Sequence, residues 1–485
     1  MSLRITRGAA SDSFRPEHYD AIVVGAGFAG GVIARELAER GGQRVALIEQ
    51  RDHIGGNAYD EYDETGVLVH RYGPHIFHSN DQRVFNYLSR FTEWYDYQHE
   101  VLANIHGSYT PVPFNLSSIE LHFAPERAAQ IIERLLATFG ADTKVPIIEL
   151  RASDDPLLAE LADFVYENVF LHYTEKQWGL TPEQIDPSVT ARVPVLVGRD
   201  RRYFQDSYQG MPLAGYTALF ERLFDHPNIS CFLGCDARTL LAVEGSTKDR
   251  SAAESGQGDT KGDDTTGTYS FVFSHSVANG NNTSKNTKEN NTKEKNTKEY
   301  VPFVSSPFVS TGSATAVGEA AAASETDDGT PFSTIRAAGQ IFNGTVIYTG
   351  PLDFLAGLRF GPLPYRSLEF VYRSEQREHV LPCGTVNYTV SEDFTRITEF
   401  SWLTGQRLDH TPLMEEYPRA FTDADTQIPY YPIPGDENQG RYERYRALFA
   451  GLPGFYPLGR LAEYRYYNMD QIVARALELA DAILG

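Results

Sequence analysis

The chain has 485 residues, of which 41% are hydrophobic and 22% charged, a globular composition at a length that predicts two or three subdomains. Its formal net charge of −22 argues against a nucleic-acid surface, and an anionic ligand would need a local arginine cluster. The sequence shows no apolar run near the ~18 residues of a membrane span and no secretory h-region, and its three cysteines suit a reducing cytoplasm.

The first regular elements predicted from the N-terminus form a βαβ unit. Residues 1–18 are predicted to be a flexible tail. Residues 19–25 are typical of a buried strand that ends in a glycine turn, residues 30–40 of an amphipathic helix, and residues 44–49 of a second short strand. Strand, helix and strand within about 30 residues predict a parallel βαβ arrangement.

After the βαβ unit, helical patterns come first along the chain and most strand-like patterns follow. Residues 80–91 predict a helix, and patterns such as 124–139 and 157–169 predict a mostly helical subdomain. Strand-like segments return at 229–232, 345–348, 384–390 and 396–400, and residues 470–484 predict a final helix.

A segment of low complexity interrupts this order. Residues 245–335 are rich in Ser, Thr, Asn, Gly, Lys and Glu, and residues 279–299 contain no apolar side chain. Such a composition cannot bury enough surface to offset the entropy of ordering, so we expect a disordered insertion. Its Asn-x-Ser/Thr sequons are interpreted as products of the composition, since no secretory signal accompanies them.

The turn of the βαβ unit has the sequence GAGFAG, residues 25–30. Gly25 permits a tight turn, Gly27 lets the backbone approach a pyrophosphate, and Gly30 allows close packing of helix on strand. The helix N-terminus offers free N–H groups to the phosphates. Glu49 ends the second strand, where a carboxylate accepts hydrogen bonds from a ribose. A glycine-rich structural turn is the alternative.

The segment that follows favours FAD over NAD. Arg51 and the doublet Gly55-Gly56 come soon after Glu49, similar to the large FAD-binding oxidoreductase fold, and the sequence shows no second G-x-G-x-x-G. The expected cofactor contacts are Gly25, Gly27, Phe28, Gly30, Glu49, Gln50, Gly56 and Asn57.

We therefore expect an α/β fold: a Rossmann-type FAD-binding domain with a helical subdomain and an antiparallel β-sheet layer. The predicted segments are 19–110 (first part of the FAD domain), 111–190 (helical substrate subdomain), 191–244 (mobile loop, sheet and return to the FAD domain), 245–335 (the insertion), 336–440 (antiparallel sheet and substrate region) and 441–485 (last part of the FAD domain).

A second set of motifs narrows the function. In chain order they are GPHIFH (73–78), YTEKQWG (173–179), RVP (192–194), YFQDSYQG (203–210), YRSL (365–368), TRITE (395–399), IPYYPI (428–433) and YRYYNMD (464–470). Together they resemble the bacterial-type UDP-galactopyranose mutase family, from residue 19 to the C-terminus except for the insertion. The chain departs from the family at Asn468, where many members carry Asp.

The resemblance implies a flavin-dependent isomerase that interconverts UDP-galactopyranose and UDP-galactofuranose with no net redox change. It implies reduced FAD, whose N5 attacks the anomeric carbon and forms a flavin–sugar adduct while UDP departs. A galactofuranose product points to cell-wall or surface-glycan synthesis. The implied partners are the UDP-sugar, a flavin reductant of unknown identity and a second copy in a homo-oligomer, with no nucleic acid and no membrane span.

The resemblance also assigns roles to single residues. Arg192 and Arg396 would grip the diphosphate through guanidinium forks. Tyr203, Tyr431 and Tyr466 would donate hydrogen bonds to it, with Asn468 nearby. Tyr173 and Phe170 would line the uracil site, and Trp178 the sugar side. His75 would lie by the flavin ring, Arg366 and Arg460 would support or contact FAD, and His78 is interpreted as structural.

Three other functions compete with this interpretation. A flavin-dependent amine or porphyrinogen-type oxidase would need an apolar or amine-accepting cleft. A degenerate sugar-nucleotide or flavin-binding protein would have lost Arg192, Arg396, Tyr431 or Tyr466. An NAD-dependent UDP-sugar dehydrogenase would need a catalytic cysteine and a nicotinamide site. The sequence favours the mutase over each of them.

Overall fold

A parallel sheet forms the centre of the molecule. The computed structural model describes residues 4–7, 14–182, 194–245 and 329–485. Within them, six strands from distant parts of the chain pair in parallel. Their spatial order is Ile5–Arg7, Ile229–Leu233, Val45–Glu49, Ala21–Val24, Thr345–Tyr348 and Phe455–Pro457.

Both faces of the parallel sheet are covered, as its apolar strands require. Because side chains alternate along a strand, Val23 joins one core and Ile22 the other. The helix Phe28–Glu39 covers the first face together with the C-terminal helix Met469–Leu484. The helix Asp436–Phe449 contributes Tyr442 and Tyr445 to the second.

The predicted βαβ unit is confirmed, whereas the flexible tail is partly wrong. The strand Ile5–Arg7 pairs with Ile229–Leu233, and the side chain of Phe14 is fully buried against Tyr19 and Phe232. Residues 1–3 and 8–13 lie outside the described residues. The polar composition of residues 1–18 gave no sequence signal for the short strand Ile5–Arg7 or for the buried ring of Phe14.

A seven-stranded mixed sheet stands beside the parallel one. Its spatial order is Tyr431–Pro432, Tyr365–Glu375, Thr411–Ala420, Arg396–Glu399, Thr385–Tyr388, Val101–Ile105 and Ser108–Val112. All neighbours are antiparallel except Thr385–Tyr388 with Val101–Ile105.

Two predicted segment boundaries need correction because sheet partners are set by long-range pairing. The two strands between residues 101 and 112 belong to the mixed sheet, although they fall in the segment predicted for the FAD domain. Conversely, Thr345–Tyr348 lies in the predicted antiparallel segment but joins the parallel sheet.

The helical subdomain is present as far as residue 182, after which residues 183–193 lie outside the described residues. Its interior is formed by apolar side chains such as Ile131, Leu135, Leu158 and Val165. Its helices are Leu116–His122, Pro125–Phe139, Ile147–Arg151, Pro156–Val165, the π-helical Tyr166–Leu171 and His172–Trp178.

The predicted insertion joins two paired strands. Leu241–Gly245 pairs antiparallel with Phe332–Ala337, which also pairs with Gln340–Ile341. The regular fold therefore resumes at Phe332, inside the predicted segment 245–335, because Phe332 and Ile335 are buried in the core. Residues 246–328 lie outside the described residues.

None of the helices in the described chain is long and apolar enough to cross a membrane.

The rest of the described chain forms short strands and helices. The remaining strands are Asp60–Tyr62, Leu68–His70, Phe77–Ser79, Trp94–Tyr95, Lys144–Val145, Val195–Leu196 and Tyr208–Pro212. The remaining helices are Gln82–Leu88, Gly215–Phe224, Ala237–Leu240, Leu352–Leu355, Phe400–Thr404 and the 3-10 helices Pro16–His18 and Gly56–Ala58.

Candidate active site

The glycine turn is fixed by close backbone packing. Gly25 has φ +98° and its N–H donates to Ile48 O at 2.8 Å. A Cβ at Gly25 would lie 2.1 Å from Thr349 Oγ1, and a Cβ at Gly30 would lie 1.9 Å from the Gly25 carbonyl oxygen. Any side chain at these two positions would therefore displace the strand, the turn or the helix.

The glycine doublet lies against this turn. The N–H of Gly55 donates to Ala26 O at 2.9 Å, and a Cβ on Gly56 would lie 2.8 Å from the Gly27 Cα. The two backbone segments thus meet without side chains between them, just before the N-terminus of the helix Phe28–Glu39. This is a cradle that a pyrophosphate fits and that any Cβ would narrow.

Glu49 is buried at the end of its strand and orders the surrounding backbone. Its Oε2 accepts the Ala26 N–H at 2.8 Å and its Oε1 accepts the Arg51 N–H at 3.0 Å. A carboxylate accepts about four hydrogen bonds, so capacity remains for a ribose hydroxyl. The neighbouring Gln50 is exposed.

Arg51 is a site residue that the sequence-based assignment omitted. Its Nη2 donates to Asn57 Oδ1 at 2.8 Å, and its Cζ lies 4.1 Å from the ring centroid of Tyr72. Its Nη1 is buried and has no hydrogen-bond partner among the described residues. A buried cationic donor without a partner, next to the glycine doublet, fits an anionic cofactor. Its position two residues after Glu49 was the available signal.

Phe28 was predicted to contact the cofactor, but its side chain belongs to the core. The ring lies 4.8 Å from that of Phe220 and 5.9 Å from that of Tyr216, centroid to centroid. Its backbone belongs to the first turn of the helix, where N–H groups have no partner within the helix.

The loop that carries His75 is held by two backbone contacts. His75 Nδ1 lies 2.8 Å from Gly73 O, and the His75 N–H donates to His70 Nδ1 at 3.0 Å. Burial is the main cause that lowers the pKa of His75 to about 3, so the ring is neutral at physiological pH. His78 forms a separate pair with Asp206, at 2.7 Å between Nδ1 and Oδ2.

Arg396 is the centre of a polar group on the mixed sheet. Its Nη2 donates to Tyr173 Oη at 3.0 Å and lies 3.1 Å from the buried carboxylate of Glu416, a residue that the sequence did not single out. Burial opposes the charge of Arg396, but Glu416 raises its pKa above the ordinary value, with Tyr173 and Tyr431 as further causes. Its Nε is buried without a hydrogen-bond partner among the described residues.

Aromatic side chains surround this arginine. The rings of Tyr431 and Tyr466 stack at 5.8 Å with an angle of 15°, and Trp178 lies 6.0 Å from Tyr431. Tyr203 is close enough to be another cause of the raised pKa of Arg396. With Arg396 and Tyr173, the structure therefore brings together six predicted substrate residues from five separate parts of the chain.

Arg460 connects this aromatic group with the His75 loop. Its Cζ lies 4.7 Å from the ring centroid of Tyr466 and 5.2 Å from that of Tyr431. Its Nη2 donates to Tyr467 O at 2.7 Å, and its charge is one cause of the lowered pKa of His75. The predicted cofactor arginine thus lies between the His75 loop and the substrate residues.

The predicted role of Arg366 needs correction. Its Nε donates to Gln177 O at 2.9 Å and its Nη2 to Lys176 O at 3.0 Å. These carbonyls end the helix His172–Trp178, so the guanidinium caps the helix that carries Tyr173 and Trp178. Arg366 therefore supports the substrate helix rather than the cofactor.

Lys176 attaches the same helix to the mixed sheet. Its Nζ donates to the carbonyl oxygens of Tyr388 at 2.6 Å, Glu392 at 2.8 Å and Phe394 at 3.2 Å. All three N–H groups of the ammonium are thereby used. The loop that Lys176 binds leads directly into the strand that begins at Arg396.

Of three further predicted substrate residues, two have another structural role and one lies outside the described residues. Phe170 is buried in the core of the helical subdomain, so its aromatic ring contributes to packing. Asn468 is the N-cap of the C-terminal helix, where its N–H donates to Gln471 Oε1 at 2.9 Å. Arg192 lies outside the described residues. No cluster of metal-ligating side chains occurs in the described chain.

Comparison with known proteins assigns the chain to a family. The model of the UDP-galactopyranose mutase family matches residues 168–261 and 324–466, and a Rossmann-like NAD(P)-binding domain model matches residues 23–91. A Klebsiella pneumoniae protein named "Probable UDP-galactopyranose mutase" is 30% identical over 96% of this chain and 94% of its own. This chain belongs to the UDP-galactopyranose mutase family.

Two further likenesses extend this result. A dTDP-fucopyranose mutase from Escherichia coli is 28% identical over 95% of this chain and 97% of its own. The solved structure of a reduced UDP-galactopyranose mutase has the same fold, with a TM-score of 0.57 at 15% identity, and covers 96% of this chain and 94% of its own. Membership makes this chain a flavin-dependent isomerase of the family that acts on UDP-sugars.

Proposed function

We propose that this chain interconverts UDP-galactopyranose and UDP-galactofuranose, with FAD bound in its reduced form. The observation that carries the proposal is Arg396, a partly exposed arginine whose Nε is buried without a hydrogen-bond partner in the described chain, whose Nη2 donates to Tyr173, and whose neighbour Tyr431 lies under the guanidinium of Arg460. A buried cationic donor of this kind fits a diphosphate that leaves and returns.

The cofactor residues fit FAD. Gly27 and Gly56 would let the pyrophosphate approach the backbone, while Gly25 and Gly30 keep the turn and the helix tightly packed behind it. Glu49 would bind the adenosine ribose, and Asn57 and Arg51 would lie at the phosphates. Reduced flavin, when bound, supplies the electron pair that displaces UDP from the anomeric carbon. His75, neutral beside the flavin, would tune its protonation.

The substrate residues would hold UDP while the sugar ring opens and closes. Arg396 and Arg192 would neutralise the diphosphate, the role of Arg192 resting on the family resemblance. Burial raises the pKa of Tyr431, so its hydroxyl stays protonated and can donate to a phosphate, as we propose also for Tyr203 and Tyr466. Tyr173 and Phe170 would border the uracil, Trp178 the sugar, and Asn468 the diphosphate.

The setting of the enzyme is part of the proposal. We place it in the cytoplasm, as a homo-oligomer that receives electrons from a cellular flavin reductant. The three cysteines are buried free thiols, which suits a reducing compartment.

The decisive test is conversion of UDP-galactofuranose by the purified flavoprotein, with and without dithionite, followed by chromatography of the nucleotide sugars. We expect UDP-galactopyranose only after flavin reduction. A protein with bound, reduced flavin that converts nothing contradicts the proposal for this substrate. dTDP-fucopyranose belongs in the same assay because of the Escherichia coli relative, and faster conversion of it would reassign the substrate.

A further inference from the structure

His70 is a buried histidine with no predicted role, and it lies directly behind the His75 loop. It ends the strand Leu68–His70 and is 1% exposed. Its Nδ1 accepts the His75 N–H at 3.0 Å, and its own carbonyl accepts the hydroxyl of Tyr372 at 2.7 Å. The ring is fixed by packing, with centroids 5.6 Å from Phe400 and 5.6 Å from Tyr216.

The backbone partners fix the tautomers of both histidines. Because His70 Nδ1 accepts an N–H, that nitrogen carries no proton and the neutral ring is protonated at Nε2. His75 Nδ1 faces the carbonyl of Gly73 at 2.8 Å, so it must carry the proton and donate. The remaining nitrogen of His75, Nε2, is therefore the one with a free lone pair.

We propose that His70 is a positioning residue that holds the His75 loop, and with it the unprotonated Nε2 of His75, in a defined place at the flavin. This inference rests on the proposed function and extends it by one residue. Gly73, at φ +91°, gives the loop a turn that an L side chain rarely adopts, so a contact at its far end is needed to define the position of His75. The His70 acceptor supplies that contact.

The test compares two variants of nearly equal size. His70→Asn can place an amide oxygen close to the former Nδ1 and accept the His75 N–H, whereas His70→Leu cannot. We expect His70→Leu to bind FAD, to lower kcat about tenfold with little change in KM, and to shift the flavin midpoint potential, because a buried donor loses its acceptor. His70→Asn should stay within about threefold of the wild type.

His122→Leu is the matched control, since it also removes a histidine hydrogen bond, to Thr110 Oγ1, but lies in the helical subdomain. It should leave the flavin potential unchanged. A His70→Leu protein with wild-type kcat and potential overturns the proposal, as does a His70→Asn protein as impaired as His70→Leu.

The experiment separates this inference from the proposed function. The flavin potential and visible spectrum are measured without any sugar nucleotide, so they report on His70 even if the wild type isomerises no UDP-sugar. If His70→Leu fails to fold, His70→Gln takes its place, because its amide extends toward the former Nε2 instead of Nδ1. Equal potentials for the Asn and Gln variants would then overturn the proposal.

Discussion

The cofactor cradle and the substrate group are built in different ways. The cradle consists of backbone, in which Gly27 and Gly56 pack against each other, and its two halves lie within about 30 residues of sequence. The substrate group consists of side chains, with Arg396 joined to Tyr173 across more than 200 positions. The closely packed backbone of the cradle has no space for an added side-chain atom. The substrate group, in contrast, can lose one side chain while the protein keeps its fold.

The strongest test of this difference is Gly30→Ala. Its Cβ would lie 1.9 Å from the Gly25 carbonyl oxygen, so we expect loss of bound FAD and a loss of stability of about 3 kcal/mol or more. Flavin absorbance after purification and thermal melting measure both. Gly440→Ala is the control, because its Cβ meets no atom within 4 Å and it lies in a helix. FAD retained by Gly30→Ala would contradict the backbone account of the cradle.

Arg396→Ala should give the opposite pattern, with FAD retained and activity lost. We expect kcat/KM to fall on the order of a hundredfold or more, since the diphosphate loses its buried cation. Arg396→Lys keeps the charge without the fork and should recover only part of the loss.

Arg419→Ala, at an exposed pair with Glu369, is the control for Arg396 and should be nearly neutral. The account of the substrate group fails if Arg396→Ala releases the flavin or retains full activity.

Lys176→Met tests how the side-chain site is held together. Without the three carbonyl contacts the helix carrying Tyr173 loses its attachment to the loop before Arg396, so KM should rise about tenfold with FAD content unchanged. Steady-state kinetics and UDP binding measure this. Lys144→Met, at an exposed position, is the control. An unchanged KM would show that packing and the Arg366 hydrogen bonds are sufficient to hold the helix.

The smallest expected effect is a pH dependence of the free energy of unfolding, to which histidines in both regions contribute. Burial lowers the pKa of His70, near the cradle, and of His99, near Arg396, to about 3 from 6.5. The unfolded chain binds these protons below about pH 6.5 while the native protein does not, so the stability is full above that pH and declines as the pH falls.

Urea unfolding of the flavoprotein at pH 7 and pH 6 should therefore differ by about 0.7 kcal/mol for each of these two histidines and for His75, whose pKa is lowered to the same value. His70→Asn should remove about one third of the difference. An identical difference in the variant and the wild type would show that other groups carry it.

The sequence was sufficient where function depends on local pattern. The GAGFAG turn, the two strands beside it and the acidic residue at the end of the second strand all lie where predicted. It was insufficient where function depends on long-range partners. Arg366 stands in a family motif, yet only the fold reveals that its donors end on Lys176 O and Gln177 O.

Other omissions have the same physical origin. Glu416 lies in a strand that pairs with that of Arg396, a register that no local pattern encodes. Thr345–Tyr348 has the appearance of any short apolar strand, and only its pairing with Ala21–Val24 assigns it to the cofactor domain. Ile5–Arg7 was missed because an edge strand of three residues needs little hydrophobicity.

The composition of the parallel sheet has a consequence for synthesis on the ribosome. The turn for the flavin precedes most of the sheet in the sequence, because the sheet is completed by Thr345–Tyr348 and Phe455–Pro457, and its first helix is covered by Met469–Leu484. A nascent chain therefore exposes the apolar edge of Ala21–Val24 until Thr345–Tyr348 has been synthesised. We expect stable flavin binding only after Met469–Leu484 has been synthesised.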